Sequence, residues 1–484
     1  VKKHLIDLWV YRQRYIIGYA ALIVLFITSV TLAGLYTPGG LTQAEVNSVG
    51  YTNEVADGNF AVPNVPFHLL RLASFELFGV SILSVKSPAI ILSVIATITI
   101  FFLLRRWFKP NIVVLSMLIM ITTGQFIFVA QNATSTILYV TYTALILLFA
   151  SLIIQKAKHQ LLWKICLAIT VALSCMTPYF IYINIGLLIV ALIHPHTRHH
   201  LFKRSQRRNW LIAAGVLLLC LAPLIYVLTR HPEFSTQLIG YDYFKPDIIN
   251  NLKVLVHTFF WVTPTVINSQ ITPVMDFSAL ALIILGAIVM FRQRYTARAY
   301  MITAWIIIAL PLLIINPALV VFITVPLFIL LAIGIEKLLS EWYKLFPKNP
   351  YARGAGLVFI IGLIGVMILS GIDRFTNGYH YMPEAAREFS TDLNLVKEQL
   401  SKKPARTALI VSDSELPLYQ ALARYNDFDL SVATHPTEAD STNAIVARSA
   451  KDLVPQQWQL QGIVTNDRID EGDRLYLYKV IKNV

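Results

Sequence analysis

The stretch Pro88–Leu104, PAIILSVIATITIFFLL, is followed at once by Arg105 and Arg106, and then by Lys109. It carries no charged side chain and is long enough to cross a hydrocarbon core of roughly 30 Å at about 1.5 Å per residue. The basic cluster at its end marks the cytoplasmic side, because loops kept in the cytoplasm accumulate Lys and Arg. One segment therefore indicates both the solvent of the chain and a direction through it.

Outward from this segment the same pattern recurs. Spanning-length apolar runs fall near residues 16–36, 88–104, 111–130, 136–154, 161–177, 179–194, 210–229, 276–291, 300–316, 317–336 and 354–372. Every second connection is basic. Lys2, Lys3, Arg12 and Arg14 precede the first run, and Lys156, Lys158 and Lys164 follow the fourth. Arg198, Lys203, Arg204, Arg207 and Arg208 follow the sixth, Arg292, Arg294 and Arg298 the eighth, and Lys337, Lys344, Lys348 and Arg353 the tenth. The intervening connections at Gln131–Ser135, Pro178 and Asn316 have no Lys or Arg. The chain thus reads as a polytopic α-helical membrane protein of about eleven spans, with a cytoplasmic N-terminus and an external C-terminus.

Composition agrees. The 484 residues are 56% hydrophobic and 14% charged, with a mean hydropathy of +0.63, too little polar surface for a soluble chain of this length. The net charge of +13 is accounted for by the cytoplasmic loops, so no nucleic-acid partner is implied. Cys166, Cys175 and Cys220 all lie in apolar runs, which excludes a disulfide framework and a Cys-based metal site. The run Ile16–Leu35 lacks a small-residue cleavage pattern and reads as an anchor, not a cleaved signal. Few ionisable residues occur near the centres of the spans, which argues against coupled transport.

Three external pieces remain: residues 37–87, residues 230–275, and residues 373–484 after a transmembrane domain of residues 1–372. The first two mix aromatics, prolines and carboxylates, and their short apolar stretches suit helices in the interface. The third reads as a small α/β domain. An amphipathic helix is expected over Pro383–Lys402, strands over Thr407–Val411 and Leu430–Thr434 with a helix at Glu415–Tyr425 between them, and a last strand over Leu475–Ile481. Val411-Ser412-Asp413-Ser414 has no glycine-rich phosphate loop, so no nucleotide is assigned.

The first external piece carries an ordered set of motifs: Leu41-Thr42-Gln43-Ala44-Glu45-Val46, then Gly58-Asn59-Phe60-Ala61-Val62-Pro63, Asn64-Val65-Pro66-Phe67, Phe78-Gly79-Val80-Ser81 and Lys86-Ser87-Pro88-Ala89. Their order and spacing resemble membrane glycosyltransferases of the GT-C fold, in particular the protein O-mannosyltransferases and aminoarabinose transferases (glycosyltransferase family 39 and 83 type). Asn316-Pro317 and Pro326 echo that family's late proline-containing span. The resemblance implies a polyprenyl-phosphate-linked sugar as donor, a glycan, lipid or protein acceptor, and work at the external face of a prokaryotic plasma membrane. The family's acceptor-activating aspartate falls at Ala44, while its neighbouring acid is kept as Glu45. Asn47 and Asn64 stand where the family has a basic residue, and Lys86 keeps the charge of a later one.

Such a transfer needs a carboxylate within reach of the acceptor and a cation for the departing phosphate. Glu45 is the candidate base; a helix-cap or solvated glutamate is the other reading of that position. Lys86, and His68 with Arg71 one helical turn apart, are candidates for donor phosphate or sugar, with interfacial snorkelling as the alternative for the His–Arg pair. In the second loop, Asp242, Lys245 and His257 are further candidates among aromatics. Glu54 and Asp57 read as capping groups and Trp261 as an interface anchor. No metal site is assigned. The His194–His200 cluster lies in a basic loop without a carboxylate, and Gly354, Gly356, Gly362, Gly365 and Gly371 suit helix packing. Asn132-Ala133-Thr134 matches a glycosylation acceptor but abuts a span. An inactive member of the fold that binds a lipid or protein partner is the competing function.

Overall fold

The apolar runs become helices in the computed structural model, which describes residues 9–36, 40–203, 206–241, 247–261, 263–293, 295–346, 350–402, 406–436, 443–465 and 473–480. Helix α1 (Trp9–Tyr36) leads into two helices of the first long connection, residues 37–87: α2 (Gln43–Ala56) and α3 (Val65–Phe78). Next come α4 (Ile82–Trp107), α5 (Pro110–Thr122), α6 (Gly124–Gln131), α7 (Ile137–Ile154), α8 (Gln160–Ser174), α9 (Phe180–Ile193), α10 (Pro195–Phe202) and α11 (Arg207–Arg230). The second long connection, residues 230–275, holds α12 (Phe234–Ile239), α13 (Ile248–Phe260) and a hairpin of β1 (Thr265–Ile267) and β2 (Gln270–Thr272). Then follow α14 (Phe277–Arg292), α15 (Ala297–Ile315), a 3-10 turn at Pro317–Ile323, α16 (Thr324–Leu345) and α17 (Pro350–Tyr381).

All eleven expected runs are helical. Among the described residues six helices have the length and hydropathy of a full crossing, and the α5–α6 pair, bent by 64°, would make a seventh. Of the rest, α1 is 28 residues long, and α8, α9 and α14 are 15, 14 and 16. A straight crossing takes about 20 residues, so these last three are short for the hydrocarbon core.

Packing separates the centre of the bundle from its rim. Helix α16 is mostly buried, whereas α11 and α17 expose apolar side chains such as Leu219 (74%) and Phe359 (76%). Water would not tolerate such continuous apolar faces; lipid does. Helices α14 and α16 touch at backbone level, since a Cβ on Gly286 would strike the Leu330 carbonyl and one on Gly334 that of Leu282. Of the glycines expected to pack helices, Gly356 lies against Trp342 and Gly371 against the Thr122 carbonyl beside the α5–α6 bend. Gly354, Gly362 and Gly365 face open space.

The expected helix over Pro383–Lys402 is two, α18 (Pro383–Glu388) and α19 (Leu393–Lys402). Between them Thr391 leaves helical geometry to form a β-bridge with Leu41, each donating its N–H to the other's carbonyl at 3.0 and 3.2 Å. Strand β3 (Thr407–Ile410), helix α20 (Leu416–Tyr425), β4 (Leu430–Ala433), β5 (Asn443–Ala447), β6 (Gln459–Thr465) and β7 (Asp473–Lys479) complete the C-terminal part, with sheet order β4-β3-β5-β7-β6. Strand β3 is parallel to both neighbours, while β5–β7 and β6–β7 are antiparallel. This part shares a core with the first long connection: Leu41, Val46, Val49, Phe75 and Val85 pack with Leu393, Leu409, Leu418 and Ile445. Polar ties across the seam run from Gln43 Nε2 to the Ser414 carbonyl at 2.7 Å and from Asn53 Nδ2 to that of Pro417 at 2.8 Å. Arg424 pairs with Asp57 at 2.7 Å.

Candidate active site

Helix α2 begins with a capping box. The Thr42 hydroxyl accepts the Glu45 N–H at 3.2 Å, and the Glu45 carboxylate accepts the Thr42 N–H at 2.9 Å. This reciprocal pair satisfies two of the N–H groups a helix start leaves open. It also turns the Glu45 side chain inward, where its other oxygen accepts the Ala133 N–H at 2.7 Å. The residue is 1% exposed.

Three more of the expected site residues gather on that inner side. Arg71 is fully buried; it donates to Ser48 Oγ at 2.9 Å, to the Val85 carbonyl at 3.2 Å and to the carbonyl of Ala133, and lies over the Phe67 ring. Glu45 and Arg71 thus grip the N–H and the C=O of one residue. Burial pulls the Arg71 guanidinium down to about 9, opposed by the charge of Glu45, so it stays charged at neutral pH. Lys86, 1% exposed, donates to Gln131 Oε1 at 2.6 Å. His68, also 1% exposed, has Nδ1 3.0 Å from Thr52 Oγ1. Burial, and then the charge of Arg71, push its pKa down to about 3, which leaves the imidazole neutral.

These four side chains converge, and none of them lines the cavity that Ala44 borders. They are buried around the connection 131–136, which Asn64 also holds by donating Nδ2 to Ser135 Oγ at 2.7 Å. Protein groups engage all four of these expected site residues, Glu45, Lys86, His68 and Arg71.

The cavity lies on the opposite face of the same wall. It has a volume of about 170 Å³ and is bordered by Thr42 and Ala44 of the first long connection, Asn132, Thr134 and Thr136, Thr258 of α13, the turn of the β1–β2 hairpin, and the 3-10 turn at Pro317–Ile323. Both long connections therefore meet in it, with Ala44 inside and Glu45 behind. Among the described residues its lining has no Asp, Glu, Lys or Arg.

The hairpin turn is built for close approach. Asn268 and Ser269 have φ of +51° and +62°, the left-handed pair of a two-residue type I′ turn. Tyr379 fastens it from α17, its hydroxyl donating to the Ser269 carbonyl at 3.0 Å and accepting the Ile271 N–H at 3.2 Å, while its ring stacks on Phe128. Gln270 Nε2 is buried without a protein partner, an open donor at the cavity wall.

His257 stacks on Trp261 at 3.9 Å, one residue from the cavity-lining Thr258. Asp242 and Lys245 lie outside the described residues. Sequence reasoning missed the hairpin and the hydroxyl- and amide-bearing residues 132–136. The available signal was Asn268-Ser269 between two runs of β-branched residues, Thr265-Val266-Ile267 and Ile271-Thr272. Among the described residues no three His, Cys, Asp or Glu side chains gather as a metal site.

Residues 62–226 match the model of the dolichyl-phosphate-mannose-protein mannosyltransferase family. The fold is similar to the crystal structure of ArnT from Cupriavidus metallidurans bound to undecaprenyl phosphate, with 13% identity, a TM-score of 0.56, and 96% of this chain and 98% of that one covered. It is also similar to the archaeal oligosaccharyltransferase AglB from Archaeoglobus fulgidus in complex with an inhibitory peptide and a dolichol-phosphate, with 12% identity, a TM-score of 0.51, and coverage of 91% and 70%. No curated protein matches the sequence. At these identities the likeness shows a shared fold, which extends along nearly the whole chain.

Proposed function

We propose that this multi-pass membrane protein of the GT-C fold is a glycosyltransferase that takes a sugar from a polyprenyl-phosphate-linked donor at the external face of a prokaryotic plasma membrane. The observation that carries the reading is the cavity where the first turn of α2 meets the β1–β2 hairpin, in a chain that shares its fold with one protein bound to undecaprenyl phosphate and another in complex with a dolichol-phosphate.

The cavity's chemistry suits a sugar and its phosphate. Its lining offers hydroxyls and amides, which both donate and accept, and Gln270 brings an open donor. The start of α2 carries positive partial charge, which favours an anionic head group even with no lysine or arginine among the described lining residues. In the displacement, the acceptor oxygen bonds to the anomeric carbon and the bond from that carbon to the phosphate oxygen breaks. The departing lipid phosphate, with a second pKa of about 6, takes up the acceptor's proton, so no carboxylate in the lining is required. Glu45 and Arg71 serve as positioning residues that hold Ala133 and, with it, the cavity wall.

One observation favours a competing reading, a non-catalytic binder of the same lipid: the position of the family's aspartate is Ala44, and it faces the cavity. Protein reconstituted in vesicles with a panel of polyprenyl-phosphate sugars, followed by mass spectrometry of products, separates the two. Release of polyprenyl phosphate with a glycosylated product supports the transferase. Saturable lipid binding without turnover of any donor supports the binder and overturns the transferase.

A further inference from the structure

We propose that the crevice at the carboxyl ends of β3 and β5 is a second binding site, separate from the cavity beside Ala44 and suited to a neutral sugar of about one residue. The topology points to the place. From β3 the chain passes through α20 to β4 on one side, then returns across the sheet to β5 on the other. Ligands of open α/β sheets lodge where such connections diverge, at the carboxyl ends of the strands.

A cavity of about 250 Å³ lies there, just below the roughly 300–1,000 Å³ of sites for drug-sized ligands. Glu415 reaches it after β3, Arg448 and Ser449 after β5, Arg474 from the adjacent start of β7, and Ser390 and Asp392 from the link between α18 and α19. Arg474 pairs with Asp392 at 3.0 Å, with both side chains nearly inaccessible. The Ser449 hydroxyl donates to Glu415 at 2.6 Å and that of Thr391 at 3.4 Å. Burial raises the Glu415 pKa, while these hydroxyls and the charge of Arg474 act the other way.

Charge selects the ligand class. Taking two carboxylates and the Arg474 guanidinium out of water is costly, and well-packed apolar side chains would serve a purely structural core as well. An anion entering the crevice meets Asp392 and Glu415, and a cation meets Arg448 and Arg474. The four charges cancel, with donors and acceptors interleaved around one space. That arrangement matches a neutral polyol, each of whose hydroxyls both donates and accepts.

The site also adjoins the first one. Ser390 and Asp392 flank Thr391, whose bridge to Leu41 fixes the segment that carries Thr42 and Ala44 into the other cavity. Binding stands on the crevice's own geometry; only its use, holding a glycan for the reaction, rests on the transferase reading.

The test is ligand-observed saturation-transfer NMR on the full chain in lipid nanodiscs. The probes are methyl glycosides of neutral hexoses and N-acetylhexosamines, with inorganic phosphate, methyl glucuronide and glucosamine as charged arms. The expected result is saturable binding of a neutral glycoside that Arg448→Ala and Ser449→Ala each weaken roughly tenfold and that Ala44→Trp, which fills the other cavity, leaves unchanged. Both Arg448 and Ser449 are exposed at the crevice, so truncating them spares the core. Loss of binding in Ala44→Trp alone would place the sugar in the bundle cavity and overturn the proposal. Preference for a charged probe, or no binding of any neutral glycoside, overturns it too. Neither result touches the transfer assay, so the two readings fail independently.

Discussion

The two faces of the first turn of α2 have opposite character. On one face Ala44 opens into a cavity lined by hydroxyls and amides; on the other, one residue along, Glu45 is sealed in with Arg71, Lys86 and His68. In this chain the charged residues of the motif build the wall, and the wall's outer surface is neutral. Charge placed behind the lining can fix geometry and field, while the lining itself meets the ligand. A motif that is scored only by its charged positions therefore points to the scaffold of the site.

The largest expected effect tests which face Glu45 belongs to. Glutamine is tolerated at the third position of a capping box, so Glu45→Gln keeps the helix start. It leaves Arg71 and Lys86 buried without their counter-charge, which costs about 3–5 kcal/mol. The expected outcome is a sharp fall in melting temperature and in the yield of monodisperse protein in detergent. A variant that melts like wild type and has lost only transfer would make Glu45 the base and undo the contrast between the faces.

Glu45, His68, Arg71 and Lys86 were each singled out by residue type and motif position; the direction of their side chains was not legible. Thr42-Gln43-Ala44-Glu45 fits a capping box and a family motif with the same glutamate, and the Ala133 N–H that Glu45 also engages lies far along the chain. The spans were legible because hydrocarbon demands long uncharged runs. The hairpin was not, because three-residue strands have too little period to read and Tyr379, a non-local partner, holds the turn. Strands β5 and β6 escaped for a similar reason: their pairing depends on β3 and β7, across intervening turns.

Second in size is a pH effect on the buried face. His68 is held near 3 against an ordinary 6.5. Between those values the unfolded chain binds a proton that the folded chain does not, so stability rises with pH across that window. Acidification from pH 7 to 5 should remove about 2 kcal/mol through this residue. Thermal melts of wild type and His68→Gln isolate the contribution, and equal slopes for the two would mean that the imidazole is solvated and faces the cavity.

A smaller effect belongs to the neutral face. Tyr379→Phe removes the hydroxyl that the Ser269 carbonyl and the Ile271 N–H share, at a cost of about 1 kcal/mol. Amide exchange over residues 265–272 should quicken while the bundle melts at nearly its usual temperature. If exchange there is unchanged, the hairpin is held by something other than α17, and the cavity wall does not depend on this contact.

Ala44→Asp should change stability least, and it sharpens the comparison most. The position is exposed at the start of a helix, where a carboxylate adds about 0.3–1 kcal/mol through the helix dipole, so the variant should melt at or slightly above wild type. Its carboxylate would stand in the cavity, in front of the wall that Glu45 supports from behind, and would supply a base where the lining has none among the described residues. With saturating donor, turnover should rise and acquire a pH limb set by that carboxylate, whereas wild-type turnover, with a phosphodiester donor that stays singly charged across neutral pH, should lack that limb. A variant that melts well below wild type would show that position 44 does not open into the cavity, and the two faces of the turn would no longer differ as described.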